Sequence, residues 1–132
     1  MSDETIQESL ESLGNALARF GEALEHPDPD EIVMDGTIQR FEFSFELFWK
    51  TLRRFLQREG VDTGSPKSTL RHAYRRGLLD RERLWLDMLE DRNRSSHVYD
   101  AEMARAIYAK LPAYYAELRG RLEDLKHRHK ED

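Results

Sequence analysis

The 132-residue sequence contains no cysteine, which removes disulfide frameworks, thiolate zinc sites and cysteine nucleophiles from consideration. Valine and isoleucine are scarce, seven together against seventeen leucines, and that imbalance argues against a β-sheet. The four prolines and seven glycines fall mostly between apolar periodic stretches rather than inside them. No apolar run approaches the ~18 residues that a membrane span requires. The opening Met1-Ser2-Asp3-Glu4 lacks the basic and then apolar order of a secretory signal. Cytoplasmic residence is therefore expected, with no membrane partner. The chemistry left to the chain is that of His, Arg, Tyr, Ser and carboxylates.

What is present points to helices. Charged residues make up 36% and hydrophobic ones 39%, so a core must come from amphipathic helices with thin apolar stripes and solvated outer faces. The length suits a single domain spanning 1–132, large enough to bury roughly 65–70% of the unfolded chain's surface. Net charge is −5, but it is unevenly spread. Residues 1–35 hold ten acids and one base, leaving sixteen acids and twenty bases in 36–132. The later part can present a basic face to nucleic acid, although a pI near 5.6 gives no support to strong nonspecific binding.

Five helices follow from the periodicity. Ile6, Leu10, Leu13, Leu17, Phe20 and Leu24 step by three and four, placing helix 1 over about Asp3 to Glu25. Across the break at Pro27 and Pro29, Asp28 is the expected cap of helix 2, with Glu31 completing a capping box. That helix runs to about Gly60 on a stripe of Ile38, Phe41, Phe45, Phe48, Leu52 and Phe55. Phe43 and Leu47 fall roughly opposite the stripe. They mark either a second contact surface, with a homodimer as the favoured occupant, or an isolated exposed aromatic. Ser65 and Pro66 begin a short helix 3 through Arg76, which Gly77 ends. Asp80 is the expected cap of helix 4, which should fray around Asn93 to Ser96, where small polar side chains compete for backbone hydrogen bonds. Asp100 caps helix 5, with a kink expected at Pro112 and a frayed tail over Lys126–Asp132. The fold class is all-α, an antiparallel bundle of four to five helices.

The densest chemical cluster is Asp91-Arg92-Asn93-Arg94-Ser95-Ser96-His97-Val98-Tyr99. Arg92 and His97, five positions apart, would diverge by about 140° on a continuous helix, whereas a break after Asn93 would let both meet one cleft. Such a pair suits phosphodiester chemistry. The guanidinium holds a phosphate bidentately and offsets its developing charge, while the imidazole moves a proton to or from an attacking or leaving oxygen. That step needs no metal, and no cofactor is expected. The bland alternative has His97 and Asn93 satisfying helix-end groups and Arg92 in a surface salt bridge.

The arrangement Arg92-x4-His97-x-Tyr99, with Asn93 directly after the arginine, resembles the signature of HEPN domains, and most closely the HepT branch, also described as nucleotidyltransferase substrate-binding proteins. The likeness extends through Gln39-Arg40-Phe41-Glu42-Phe43-Ser44-Phe45-Glu46-Leu47, Trp49-Lys50, Gly77-Leu78-Leu79, Trp85 and Met88-Leu89-Glu90-Asp91-Arg92-Asn93. The resemblance implies a dimeric helical protein encoded with a separate minimal nucleotidyltransferase. In such pairs the HEPN member is a metal-independent RNase toxin, silenced when the transferase attaches AMP to the motif tyrosine. By that likeness Arg92 would bind and polarise the phosphate, Asn93 would orient the site, His97 would be the acid or base and Tyr99 the AMP acceptor. Arg94 stands where relatives usually carry an aliphatic residue, and Val98 where many carry Thr. An older reading of the same family makes the protein a noncatalytic subunit that presents substrate to the transferase.

Other candidates are weaker. Gly64-Ser65 is not followed by the Asp-x-Asp that nucleotide transfer requires, so the chain is not expected to be the transferase itself. His26, Asp28 and Asp30 read as a turn rather than a metal site, and His127 and His129 as solvated residues of a charged tail. The basic run Arg71-His72-Ala73-Tyr74-Arg75-Arg76 makes Arg75 and Arg76, with Arg94, candidate RNA phosphate contacts. Tyr114 is expected in the core.

Overall fold

The structure, a computed structural model, describes residues 3–97 and 100–131, with side chains over 5–95 and 100–131. Among them are five helices and no strand: α1 (Asp3–Leu24), α2 (Glu31–Arg58), α3 (Pro66–Arg75), α4 (Glu82–His97) and α5 (Ala101–Glu131). Their boundaries follow local chemistry. Ser65 Oγ accepts from Ser68 N at 3.1 Å to cap α3, and Asp100 Oδ1 accepts from Glu102 N at 2.9 Å and Met103 N at 3.2 Å to start α5. Gly77, at φ +79, closes the turn after α3 while Leu78 N bonds back to Ala73 O at 2.8 Å, a left-handed conformation that favours glycine.

Three boundaries differ from the expectations. The cap of α2 is Asp30, whose Oδ1 accepts from Val33 N at 2.9 Å, not Asp28. The helix begins at Glu31, two residues after Pro29, so Asp30 rather than Asp28 occupies the cap position. Asp80 does not cap α4; it lies 3.5 Å from Arg121. The end of α5 does not fray at Lys126, because the His129 ring packs edge-on against Phe55 and its Nδ1 lies 3.2 Å from Arg58 Nη1. Those contacts also correct the reading of His129 as solvated. The helix runs uninterrupted through Pro112.

Contact pairs give the topology. Phe20 meets Phe41, so α1 and α2 form an antiparallel hairpin around the Pro27–Pro29 turn. Phe20 also meets Tyr115 edge-on at 5.4 Å, while Gly14 faces Leu122, so α5 runs antiparallel to α1. Trp85 bonds Glu117, and Phe48 packs on Trp85 at 4.8 Å, which places α4 against both α2 and α5. The predicted stripes of α1, α2 and α5 are the core, with Phe41, Phe45, Phe48, Phe55 and Trp85 fully buried. Each such aromatic stabilises the fold by ~1.5–3 kcal/mol relative to exposure. No helix among the described residues is long and apolar enough to cross a membrane.

Candidate functional site

Two carboxylates on successive turns of α2 receive two donors from the end of α4. Glu46 Oε2 accepts from Arg92 Nη2, and Glu42 Oε2 accepts from Ser95 Oγ at 2.5 Å. These bonds explain a departure from the sequence expectation: α4 does not break after Asn93 but continues through His97. The Ser95 hydroxyl does bond its own backbone, 3.0 Å from Arg92 O, but Glu42 on another helix accepts from it as well and ties this turn down. Arg92 and the position of His97 are therefore separated by about 140° around one continuous helix, and no local turn brings them together within a chain.

The guanidinium of Arg92 is held from two sides. Besides Glu46, Asn93 Oδ1 accepts from Arg92 Nη1 at 3.1 Å. Glu46 also accepts from Trp49 Nε1 at 3.0 Å and sits 3.4 Å from Lys50 Nζ. Burial works to raise the Glu46 carboxyl, but the indole N–H, the Arg92 guanidinium and Lys50 together outweigh it and hold the group below its ordinary value. It is ionised at neutral pH and fixes the arginine as a charged partner. The pair is neither buried nor fully wet, with side-chain exposures of 28% for Arg92 and 30% for Glu46.

Asp91, the neighbour of Arg92, locks this end of α4 onto α5. It is 2% exposed and accepts from Tyr114 Oη at 2.5 Å and Lys110 Nζ at 2.9 Å. Burial, and then the hydrogen bond to Asp91, push the Tyr114 phenol above its ordinary value. Tyr114 is a core residue, as the stripe predicted, and its ring stacks on Phe41 at 5.4 Å. The roles of Glu42, Glu46 and Asp91 escape sequence reasoning, although an acid three residues after Met88, on the buried side of α4, is a usable signal.

The remaining predicted residues separate. Arg94 lies 3.9 Å from Asp91 and lines a groove of about 660 Å³ between α3 and α4, together with Asn93, Lys67, Arg71 and Arg83 over Leu86, Leu89 and Met103. Arg75 is exposed, and Arg76 turns away to pair with Glu59 at 3.1 Å, so neither joins Arg94. The side chain of His97 and the whole of Tyr99 lie outside the described residues. On the far side of Glu46, Phe43 is 58% exposed and shares a shallow apolar depression with Ala16, Arg19, Arg40 and Leu47.

The profile of the family described as "Nucleotidyltransferase substrate binding protein like" matches residues 8–127. The chain belongs to this family. A curated Haemophilus influenzae relative named "Probable ribonuclease HepT" is 36% identical over 107 residues, 77% of this chain and 73% of that protein. Two solved structures share the nucleotidyltransferase substrate-binding fold. A Thermus thermophilus protein superposes with a TM-score of 0.80 at 40% identity, over 86% of this chain and 98% of that one. A Haemophilus influenzae protein described as a substrate binding domain of a nucleotidyltransferase does so with a TM-score of 0.68 at 29% identity, over 95% and 99%.

Proposed function

We propose that this substrate-binding-family protein is a HepT-like HEPN toxin: a cytoplasmic, metal-independent endoribonuclease that works as a homodimer and is silenced by AMP transfer to Tyr99 from a partner minimal nucleotidyltransferase. The observation that carries the reading is Arg92, a cation pre-oriented by ionised Glu46 and by Asn93 at a half-exposed helix end. It adjoins exposed Phe43, beside Leu47, which is partly buried against the chain's own core, and a second copy would cover this surface. Because Arg92 and His97 diverge on one helix, the productive pair is Arg92 of one copy with His97 of the other. The ribose 2′-hydroxyl attacks the adjacent phosphorus as one imidazole takes its proton. The O5′ bond breaks as the leaving oxygen takes a proton from solvent, to which the imidazolium gives up its own, and the products are a 2′,3′-cyclic phosphate and a 5′-hydroxyl. Arg92 offsets the charge gathering on the phosphate oxygens. AMP on Tyr99 would put a bulky anion two positions from His97 and oppose RNA entry.

Purified protein should cut RNA in EDTA and leave a cyclic phosphate, and His97→Ala should abolish cutting while the dimer survives. Unchanged cleavage in that variant removes His97 from the mechanism. Incubation with the partner and ATP should add the mass of AMP to wild type and not to Tyr99→Phe; equal labelling of both rejects that acceptor. The second reading, a noncatalytic subunit that presents substrate to the transferase, draws support from the family's description and from the Haemophilus influenzae structure. It requires that the chain bind the transferase yet cut no RNA under any condition.

A further inference from the structure

The groove between α3 and α4 is basic at its rim and apolar at its floor. Lys67 and Arg71, one turn apart on α3, meet no carboxylate among the described residues, whereas Arg83 is paired with Asp87 at 3.1 Å and Arg94 lies 3.9 Å from Asp91. Glu90 is the one acid among the lining residues, against four cations. Leu86, Leu89 and Met103 line the groove, and Tyr74, 44% exposed, falls on the same face of α3 as Lys67 and Arg71 by helical register. Asn93 both lines the groove and accepts from the Arg92 guanidinium, so the groove is continuous with the candidate site.

We infer that this groove binds single-stranded RNA and carries the strand that flanks the scissile linkage. This rests on the ribonuclease reading only in naming the ligand as RNA and the neighbouring linkage as its cut. Lys67, Arg71, Arg83 and Arg94 contact successive phosphates, and the apolar floor and Tyr74 receive the faces of unpaired bases. A duplex has its base faces stacked inside and could use only the rim. The volume, about 660 Å³, lies within the ~300–1,000 Å³ typical of sites that enclose a small organic ligand, so a short stretch of strand is held rather than a long one.

The test is fluorescence anisotropy on the full-length protein with a labelled 2′-O-methyl RNA of about ten nucleotides, which lacks the attacking hydroxyl and so reports binding alone. The variant Lys67→Ala/Arg71→Ala/Arg83→Ala should bind about tenfold or more weakly and lower the log–log salt slope by about 2, since each lost phosphate contact on a single strand contributes ~0.7. A charge-matched control at the other end of the bundle, Arg119→Ala/Lys126→Ala/Lys130→Ala, should stay within about twofold of wild type. Wild type should bind a duplex of equal length about tenfold more weakly than the single strand. The single variants Lys67→Ala and Arg71→Ala should each lower the slope, which preserves the test if the triple variant is poorly folded. Equal losses in the groove and control variants, an unchanged groove variant, or equal affinity for duplex each overturn the inference. Groove-dependent binding by a wild-type protein that never cuts RNA would leave the groove standing and sink the ribonuclease reading. Cleavage with groove-independent binding would do the reverse.

Discussion

The guanidinium of Arg92 on α4 is bonded to the carboxylate of Glu46 on α2, across 46 positions of sequence. One turn away, Ser95 repeats the connection to Glu42. This double bridge sets where the end of α4 lies, so the residue proposed to meet a phosphate is also part of the joint between two core helices. A phosphate arriving at Arg92 must share the guanidinium with Glu46 or displace it, which ties substrate binding to the α2–α4 contact.

Replacing Glu46 with Gln keeps the shape of the acceptor and removes its charge. The folded Glu46 carboxyl lies below its ordinary value of 4.5. Its contribution to stability is therefore present above that pH and lost as pH falls through the depressed folded value. At pH 7 Glu46→Gln should cost about 1 kcal/mol or less, because the pair is partly solvated and screened. In urea titrations, wild type and variant should differ at neutral pH and converge once the pH has fallen below the depressed folded value. A difference that persists unchanged into acid would mean that the charge of Glu46 is not what the fold uses.

Asp91 and Tyr114 form the buried counterpart of that joint. Asp91→Ala leaves the Tyr114 hydroxyl without its acceptor in the core and should destabilise by ~2–3 kcal/mol, whereas Tyr114→Phe, which leaves Asp91 still bonded to Lys110, should cost ~1 kcal/mol. The pH dependence has the opposite sense to that of Glu46. The Tyr114 phenol is raised above its ordinary 10.0, so its contribution holds below pH 10 and fades as pH rises above it. Alkaline unfolding followed by circular dichroism should lose part of its pH dependence in Tyr114→Phe; an identical profile in both proteins would disconnect this pair from alkaline stability.

Helix existence and the core are legible in the sequence because they depend on spacing alone. Phe41, Phe45, Phe48 and Phe55 declare their face without reference to any partner, and Ser65 and Asp100 cap the residues that immediately follow them. Features that depend on a distant partner are not legible. Asn93, Ser95 and Ser96 read locally as a helix end, yet the acceptor that keeps Ser95 in the helix is Glu42, 53 positions earlier. Arg75 and Arg76 stand out as a doublet, but it is Arg71, one turn after Lys67, that lines the groove beside Arg94. His129 looks solvated in a run of charges until Phe55 and Arg58 are brought beside it.

Phe43 offers a direct handle on assembly. At 58% exposure it supports little of the chain's own core, so Phe43→Asp should change fold stability by no more than about 0.5 kcal/mol. If the Phe43 and Leu47 surface joins two copies, burying a carboxylate there is prohibitive. Analytical ultracentrifugation should show wild type at twice the chain mass and Phe43→Asp at the chain mass, with helicity unchanged. A variant that sediments as wild type does would exclude this surface as the subunit interface.

Continuity of α4 through His97 leads to a sharper expectation about catalysis. If each cut uses Arg92 from one copy and His97 from the other, two inactive chains can restore each other. An Arg92→Ala chain retains its histidine and a His97→Ala chain retains its arginine, so their heterodimer holds one intact cross-subunit pair and one that lacks both groups. Co-refolding equal amounts gives roughly half heterodimers by random pairing of equivalent chains, and hence roughly a quarter of the wild-type number of sites. Cleavage of RNA in EDTA should recover to about that level, with each parent inactive alone and the Arg92→Ala/His97→Ala chain unable to restore activity to either. No recovery, with heterodimers verified by mass, would mean that the two groups act from the same chain and that the end of α4 must reorganise before RNA can be cut.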